Sequence, residues 1–447
     1  MNVRLDPSPA EWLGSARSHA KRSGAEKVTV VSGHQAFAWH GGLVAKLFAA
    51  LAAARACDGE LVWIITDNDD TPSDVFSVPV HDRALGRARK QVIAMSGEEE
   101  GCSPRGGAFE ASAEIPAGLG LLLGDSAERI EGWVKALGQH EDAPSAGHQV
   151  TRALFDFFEI DTSMVSMIGA SEVARTDMFM AFSQSMHSDA QSMAAAYNEA
   201  VGEVPAAGVP PLVRHPTKGW ELPLWTVDGT GARRRVFSGG PLPEVLLPRA
   251  LSLTGFARLH MGHLFVHGTG GRVYDGATER WIERWLGERL APMATATADV
   301  ALPLPGDAPG GEEVARAHWL AHHAKHTPSV LDDDEGQSLK DALVERIRVA
   351  ESFGERSALF AELHVLLGRM RALHAEKLAR FDERARELAR AFAEHALLRD
   401  RTWPMVLFGA EVVRSLRAEI DGSFGSDISV ERVAGSSDVG RASTTRR

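Results

Sequence analysis

Apolar positions near the N-terminus first repeat at helical spacing and then crowd into short unbroken runs. Trp12, Leu13, Ala16 and Ala20 recur along residues 9–23, which predicts a helix. Residues 27–32 (KVTVVS) predict a short buried strand, ended by Gly33. Residues 43–56 are rich in alanine, with Leu43, Leu47, Ala50 and Leu51 along one side, and predict a second helix; residues 61–66 (LVWIIT) predict a second buried strand. Two apolar strands around a helix make a βαβ unit, so a right-handed crossover and a parallel sheet are expected. Ligands of such sheets gather at the carboxyl ends of the strands, where the two loops at 32–46 and 67–72 begin.

Farther along, residues 75–93 alternate well enough for one or two strands, and 97–114 form a Gly-, Ser- and charge-rich connection. Helices are predicted over 125–137, 148–158 and 177–201, and two strands over 221–225 and 233–237 around an Asp228-Gly229 turn. A helix over 247–261, an apolar strand over 264–267, a glycine turn and a helix over 276–290 follow. Residues 302–312 read as a Pro- and Gly-rich linker. Beyond it, Leu378, Phe381, Ala385, Leu388 and Phe392 repeat at 3-4 spacing, the seam of a helix that packs along another, within the chain or between two copies as a homodimer. The resulting plan is α/β: a Rossmann-like parallel core begun by 1–140, a mostly helical connecting segment over 141–225, a second part of the core over 226–305, a coiled-coil-like helical arm over 306–429 and a disordered tail over 430–447.

Composition narrows the function classes. With 447 residues, 44% of them hydrophobic, the chain can bury a large core, but no segment reaches the roughly 20 apolar residues of a membrane span. The first residues carry no signal-peptide pattern, and Cys57 and Cys102 are too few for a disulfide framework, so a cytoplasmic location is expected. A formal charge of −12 without a long basic face argues against nucleic acid as partner and leaves a small molecule.

Three constellations carry candidate chemistry. In Ser32-Gly33-His34-Gln35-Ala36-Phe37-Ala38-Trp39-His40-Gly41-Gly42, followed by Lys46, glycines at a strand-to-helix turn allow close approach of an anion to helix-start amides. His34 and His40 are placed to move protons; the structural alternative is that the histidines cap the turn and Trp39 is core. In the second loop, Asp67 and Asp69 are candidate catalytic groups and Asn68 and Asp70 candidate binding groups, against the alternative of a solvated turn. The third is His267-Gly268-Thr269-Gly270-Gly271, with Tyr274 and Asp275, a glycine turn suited to phosphate or carboxylate. His318, His322 and His326 recur every four residues but read as a solvated helix face, and no metal site is assigned. Nucleotide-binding loops of the Gly-x-x-x-x-Gly-Lys-Ser/Thr and Gly-x-Gly-x-x-Gly types and the Gly-x-Ser-x-Gly elbow are missing from the sequence.

The stretch SGHQAFAWHGGLVAKLFAA followed by LVWIITDNDD resembles the N-terminal core of the bacillithiol-synthesis cysteine-adding enzymes. On that resemblance Gly33, His34 and Gln35 correspond to the family's Gly-Gln-Gln loop, Gly41, Gly42 and Leu43 to its Gly-Pro-Leu-like turn, Lys46 to its helix lysine and Asp67 to Asp70 to its acidic loop. His34 stands where the family has Gln, and the acidic loop lacks the family's His. The motifs Gly-His-Gln, His-x-Gly, Asp-Asn-Asp and His-Gly-x-Gly-Gly-x-x-Tyr-Asp make the chain more similar to a group of uncharacterised bacterial proteins. The resemblance implies a ligase or transferase joining an amine or thiol compound to an anionic substrate, with or without a linked sugar. Two other readings compete: a non-catalytic ligand-binding or assembly protein of the same fold, and a nucleotidyltransferase-like enzyme using an adenine nucleotide and Mg²⁺ on the aspartates.

Overall fold

Strand β2 (Thr29–His34) forms where Val30 and Val31 put β-branched side chains on opposite faces of a buried sheet, and β3 (Glu60–Ile65) runs beside it in parallel, with Val30 opposite Leu61 and His34 opposite Ile65. A computed structural model describes residues 1–82, 87–96, 102–116, 118–229, 231–302 and 308–435. The chain divides into two units, one comprising Met1–Val80, Lys90–Leu302 and Arg401–Arg447, the other His81–Arg89 and Pro303–Asp400.

The first unit is mixed α/β around a six-stranded sheet. Beside β2 and β3 lie β6 (Val165–Gly169) on one side and β11 (Leu264–His267) and β12 (Met293–Asp299) on the other, all parallel, while β1 (Asn2–Asp6) closes the edge antiparallel to β12. From β2 the chain winds outward through β3 to β6, then returns to the other side of β2 for β11 and β12. The direction reverses between β2 and β11, so the connections leaving these neighbours diverge and open a crevice at their carboxyl ends. A smaller antiparallel sheet, β10 (Leu247–Pro248), β8 (Gly219–Val227) and β7 (Arg214–His215), with β9 (Arg233–Phe237) also on β8, packs into the same unit; β4 (Val75–Asp82) and β5 (Arg87–Ala94) pair separately.

The two faces of the large sheet are covered differently. On one, Val31, Ile64 and Phe265 share a core with Phe179, Phe182, Phe256, Trp281 and Ile282. On the other lies the Gly41–Ala56 helix, buried on every side through Ala54. Its sequence shows one apolar stripe because small alanines fill the rest, and its outer side is covered by the Ala410–Gly435 helix, whose Leu416, Ile420 and Phe424 are buried.

Several expectations change. The helix expected over 177–201 breaks at Asp189 into Asp177–Ser188 and Ala190–Glu203. The glycine turn after β11 is the first turn of a helix that starts at Thr269, not at Gly276, and ends at Gly287 in the left-handed conformation. β1, β6 and β12 carried no clear strand signal; in β12 (MATATAD) the apolar positions are alanines, since bulkier side chains would hold the Gly41–Ala56 helix away. The arm expected over 306–429 ends at Asp400, and the Ala410–Gly435 helix belongs to the first unit and runs into the span expected to be a tail; residues 436–447 lie outside the described residues, as do 97–101 and 303–307 of the expected connection and linker.

In the second unit, Leu378, Ala385 and Leu388 of the Ala375–Leu398 helix are buried. Ala385 and Leu388 pack with Ala317 and Ala321 of the Gly311–His323 helix, and Leu378 packs with Leu367 and Met370 of the Phe353–Leu373 helix. From Leu378 to Leu388 the 3-4 seam therefore finds partners within the chain, while Phe392 is exposed. Among the described residues no helix is long and apolar enough to cross a membrane.

Candidate functional site

At the end of β2, a side chain on Gly33 would collide with the Ile64 carbonyl of β3, so glycine is required for the two strands to stay paired here. The Gly33 carbonyl accepts a 2.5 Å hydrogen bond from Lys46 Nζ. Lys46 lies on the sheet side of the Gly41–Ala56 helix, 3% exposed, with its ammonium 5.4 Å from the Trp63 ring centre. Among the described residues no carboxylate lies within ion-pair distance of it, and burial lowers its pKa to about 7. His34 is held well below the usual imidazole range, first by burial and then by the charge of Lys46, and its Nδ1 donates to the Gln35 carbonyl at 3.4 Å.

His40 lines the crevice and also has a structural job. It is the N-cap of the Gly41–Ala56 helix, its Nδ1 accepting from the Gly42 amide at 3.1 Å, so the capping alternative holds for this histidine. Trp39 is fully buried, its indole donating to the Gln35 carbonyl. Gln35 Nε2 donates to Asp69 Oδ2 at 2.6 Å and ties the first loop to the second.

The second loop splits its carboxylates. Asp67 is buried and faces β6, accepting from the amide and hydroxyl of Ser171, and burial raises its pKa. Its predicted catalytic placement is therefore corrected: Asp67 fastens the end of β3 to the start of the Ala170–Val173 turn, away from the crevice. Asn68 is buried and donates to the Pro248 carbonyl. Asp70 is exposed and bridges Arg105 (3.3 Å) and Arg233 (2.7 Å). Only Asp69 of the three carboxylates lines the crevice, where Gln35 and the Thr71 amide hold it. Among the described residues no three His, Cys, Asp or Glu side chains converge to hold a metal ion, so the Mg²⁺-dependent reading finds no matching cluster.

The third constellation is the most ordered chemically. His267 ends β11 and is buried, with its Nε2 3.4 Å from Asp275 Oδ2. Asp275 is fully buried one turn and a half into the next helix; Arg258 Nη1 reaches the same oxygen at 2.5 Å, and Arg258 in turn donates to the Ala291 carbonyl and to Glu279. Burial alone would raise the Asp275 pKa, but His267 and Arg258 bring it below the usual range. Burial keeps His267 below its own range despite that carboxylate. The result is a neutral imidazole whose Nε2 stands 3.4 Å from an ionised aspartate without a hydrogen bond to it, a looser version of a general base and its orienting group. A side chain on Gly271 would collide with His267 Nδ1, so the first turn of the helix closes onto this ring only with glycine there. No side chain caps that helix, and Gly268, Thr269, Gly270 and Gly271 at its start, where amides lack intrahelical acceptors, line the crevice. Burial and the nearby Asp275 raise the Tyr274 hydroxyl to about 12, so it stays protonated.

These pieces surround one cavity of about 530 Å³ at the reversal point of the sheet, a volume suited to a small-molecule ligand. Of the predicted residues, Gly33, His34, Gln35, His40, Gly42, Lys46, Asn68, Asp69, His267, Gly268, Gly270, Gly271 and Tyr274 line it. Gly41, Asp67, Asp70 and Asp275 do not: Gly41 lies against Val300 and Met405, and Asp275 sits behind His267.

Among the lining residues that sequence reasoning missed are Arg233, Arg249, Trp225 and Arg401. Trp225 has two guanidinium groups over its ring, Arg249 at 4.7 Å and Arg233 at 5.5 Å from its centre. Arg249 is further fixed by buried Glu221 at 2.7 Å. Arg401 binds Thr297 Oγ1 at 2.8 Å and Asp299 at 2.6 Å, beside Gly42. In an arginine-rich chain none of these carries a local motif; the Arg-Arg-Arg run ahead of Val236, next to a tryptophan strand, is the only available hint. No protein-family model and no curated protein matches the chain.

Proposed function

We propose that the chain is a small-molecule ligase or transferase whose Rossmann-like core binds an anionic substrate, with or without a linked sugar, and joins it to an amine or thiol compound. One observation carries this reading: the cavity at the sheet reversal presents four cationic side chains, Lys46, Arg233, Arg249 and Arg401, against one lining carboxylate, Asp69, beside the His267–Asp275 pair. Arg233, Arg249 and Arg401 are held by Asp70, Glu221 and Asp299 outside the lining, and Lys46 is buried with no carboxylate at ion-pair distance among the described residues, so Lys46 is the cation that favours a ligand supplying negative charge. A bound anion next to Lys46 restores the charged ammonium that burial alone disfavours.

In this reading His267 takes the proton of the amine or thiol as that nucleophile bonds to an electrophilic carbonyl carbon. The carbonyl electron pair moves to oxygen, where the Thr269, Gly270 and Gly271 amides stabilise it, and returns to re-form the carbonyl as the bond to the acyl leaving group of the anionic substrate breaks, that group departing with the proton held by His267. Asp275 keeps the imidazole aligned and stabilises its protonated form. The ligase identity rests on the family resemblance, the anionic substrate class on the cavity.

The test has two stages. Malonate and inorganic phosphate should raise the melting temperature of the wild-type chain, and less so that of Arg249→Ala. Bacterial cells making the wild type should then accumulate an amine or thiol conjugate, seen by mass spectrometry, that cells making His267→Ala lack. Protection by anions with identical metabolite profiles favours the non-catalytic binding protein; no protection by any anion overturns the proposal.

A further inference from the structure

A second cavity, of about 250 Å³, lies in the first unit between the end of the Ala146–Phe157 helix and the start of the Ala410–Gly435 helix. Its floor is aromatic: Phe158 and Phe408 are buried, and half-buried Phe157 and Val413 complete the wall. Its rim is cationic. Arg129, Arg414 and Arg417 surround it with Glu159 as the only acidic lining residue.

The arginines are not equivalent. Arg129 is spent on the Leu407 carbonyl and Ser126 Oγ, at 2.8 and 2.7 Å. Arg417 grips the Phe158 and Glu159 carbonyls and stacks 4.8 Å from the Phe48 ring centre, which fixes the lip where Glu159 adopts a left-handed backbone (φ 52°). Arg414 is exposed on the helix, and among the described residues it makes no ion pair or hydrogen bond. Ala410, at the start of that helix, also lines the cavity, so the first amides of a long helix add their partial positive charge.

An aromatic floor asks for a flat apolar body, and a rim of guanidinium groups and helix-start amides asks for an anion. The volume lies below the roughly 300–1,000 Å³ of drug-sized pockets, which restricts the body to a single ring. We infer that this cavity is a second ligand site, separate from the sheet crevice, that takes a one-ring aromatic carboxylate, its ring against Phe158 and Phe408 and its carboxylate on Arg414.

Benzoate is the probe, with benzamide as its uncharged isostere, followed by ligand-observed NMR titration on the full-length chain. Wild type should bind benzoate saturably and at least about tenfold more tightly than benzamide, the factor that corresponds to one modest charge pair. Arg414→Ala should weaken benzoate by a similar factor, and Val413→Trp, which fills the cavity, should abolish binding. Lys46→Met, in the sheet crevice, should leave benzoate affinity unchanged. If Val413→Trp does not fold, Ala410→Trp replaces it at the exposed lip. Equal affinity for benzamide, full binding by the filled variant, loss of binding in Lys46→Met, or no saturation up to tens of millimolar would each overturn the inference.

Discussion

Replacing Lys46 by methionine should stabilise the sheet-bearing unit, by an amount that changes with pH in a manner set by one side chain. Lys46 is 3% exposed and its pKa falls from 10.5 to about 7 on folding, with burial as the cause. At about 1.4 kcal/mol per pKa unit, carrying the ammonium form into the fold costs about 5 kcal/mol. The sign follows from proton counts: between pH 7 and 10.5 the unfolded chain holds the Lys46 proton and the folded chain does not. Wild-type stability therefore rises relative to the variant by about 1.4 kcal/mol per pH unit across that window and is flat below it. Methionine keeps the length of the side chain but loses the bond to the Gly33 carbonyl, worth about 1 kcal/mol. The variant should thus be more stable by about 3 kcal/mol near pH 7 and by about 1 kcal/mol near pH 9. Urea unfolding followed by tryptophan fluorescence at about pH 6, 7, 8 and 9 reads the difference directly. A stability difference that is constant over this range, or a methionine variant weaker than wild type at pH 6, would refute the account of a buried, uncompensated ammonium. The same variant should also lose protection by phosphate, since its gain in stability comes from removing the group that an anion would neutralise.

Three further outcomes follow from the site. Asp275→Asn leaves the buried Arg258 guanidinium with only the half-exposed Glu279 as charge partner, and calorimetry should show a loss of about 3 kcal/mol; an unchanged melting temperature would mean that Glu279 alone suffices. Gly271→Ala pushes a methyl group into His267, so conjugate formation should fall steeply while the overall fold, read by circular dichroism, persists at a cost of about 1–3 kcal/mol. His40→Ala removes an N-cap and should cost about 1 kcal/mol in urea unfolding, with conjugate formation retained; abolished turnover at full stability would return His40 to the chemistry.

The local parts of the fold were legible because their signals are local. β2, β3 and β11 are apolar runs ended by glycine or aspartate, and the Gly41–Ala56 helix follows a loop with two glycines at its end. That reading also located the crevice, because strand ends in a parallel sheet are where loops are free to bind. β12 was hidden for a packing reason: alanine and threonine under a close helix carry little hydrophobic signal, whereas β6 (VSMIG) is short and its Val, Met and Ile are only half-buried. The helix at 410–435 looked like a continuation of the helical arm, since an amphipathic pattern does not state which surface its apolar side will meet.

Sequence alone determined which residue types stand at the two strand ends, and hence that His34, Lys46, His267 and the glycines beside them share a crevice once β11 takes its place next to β2. Only tertiary structure decided what each of them does there. His34, His40 and His267 are the same residue type in similar loops, yet one is half-buried near Lys46, one caps a helix and one stands against a buried aspartate. Asp67, Asp69 and Asp70 are neighbours in sequence that fasten β6, line the cavity and pair with arginines, respectively. Arg249 and Arg401 come from positions 150 or more residues beyond the second loop, and no short-range pattern records that they arrive. Charge state and role are set by burial and by partners distant in the chain, and those are properties of the folded packing.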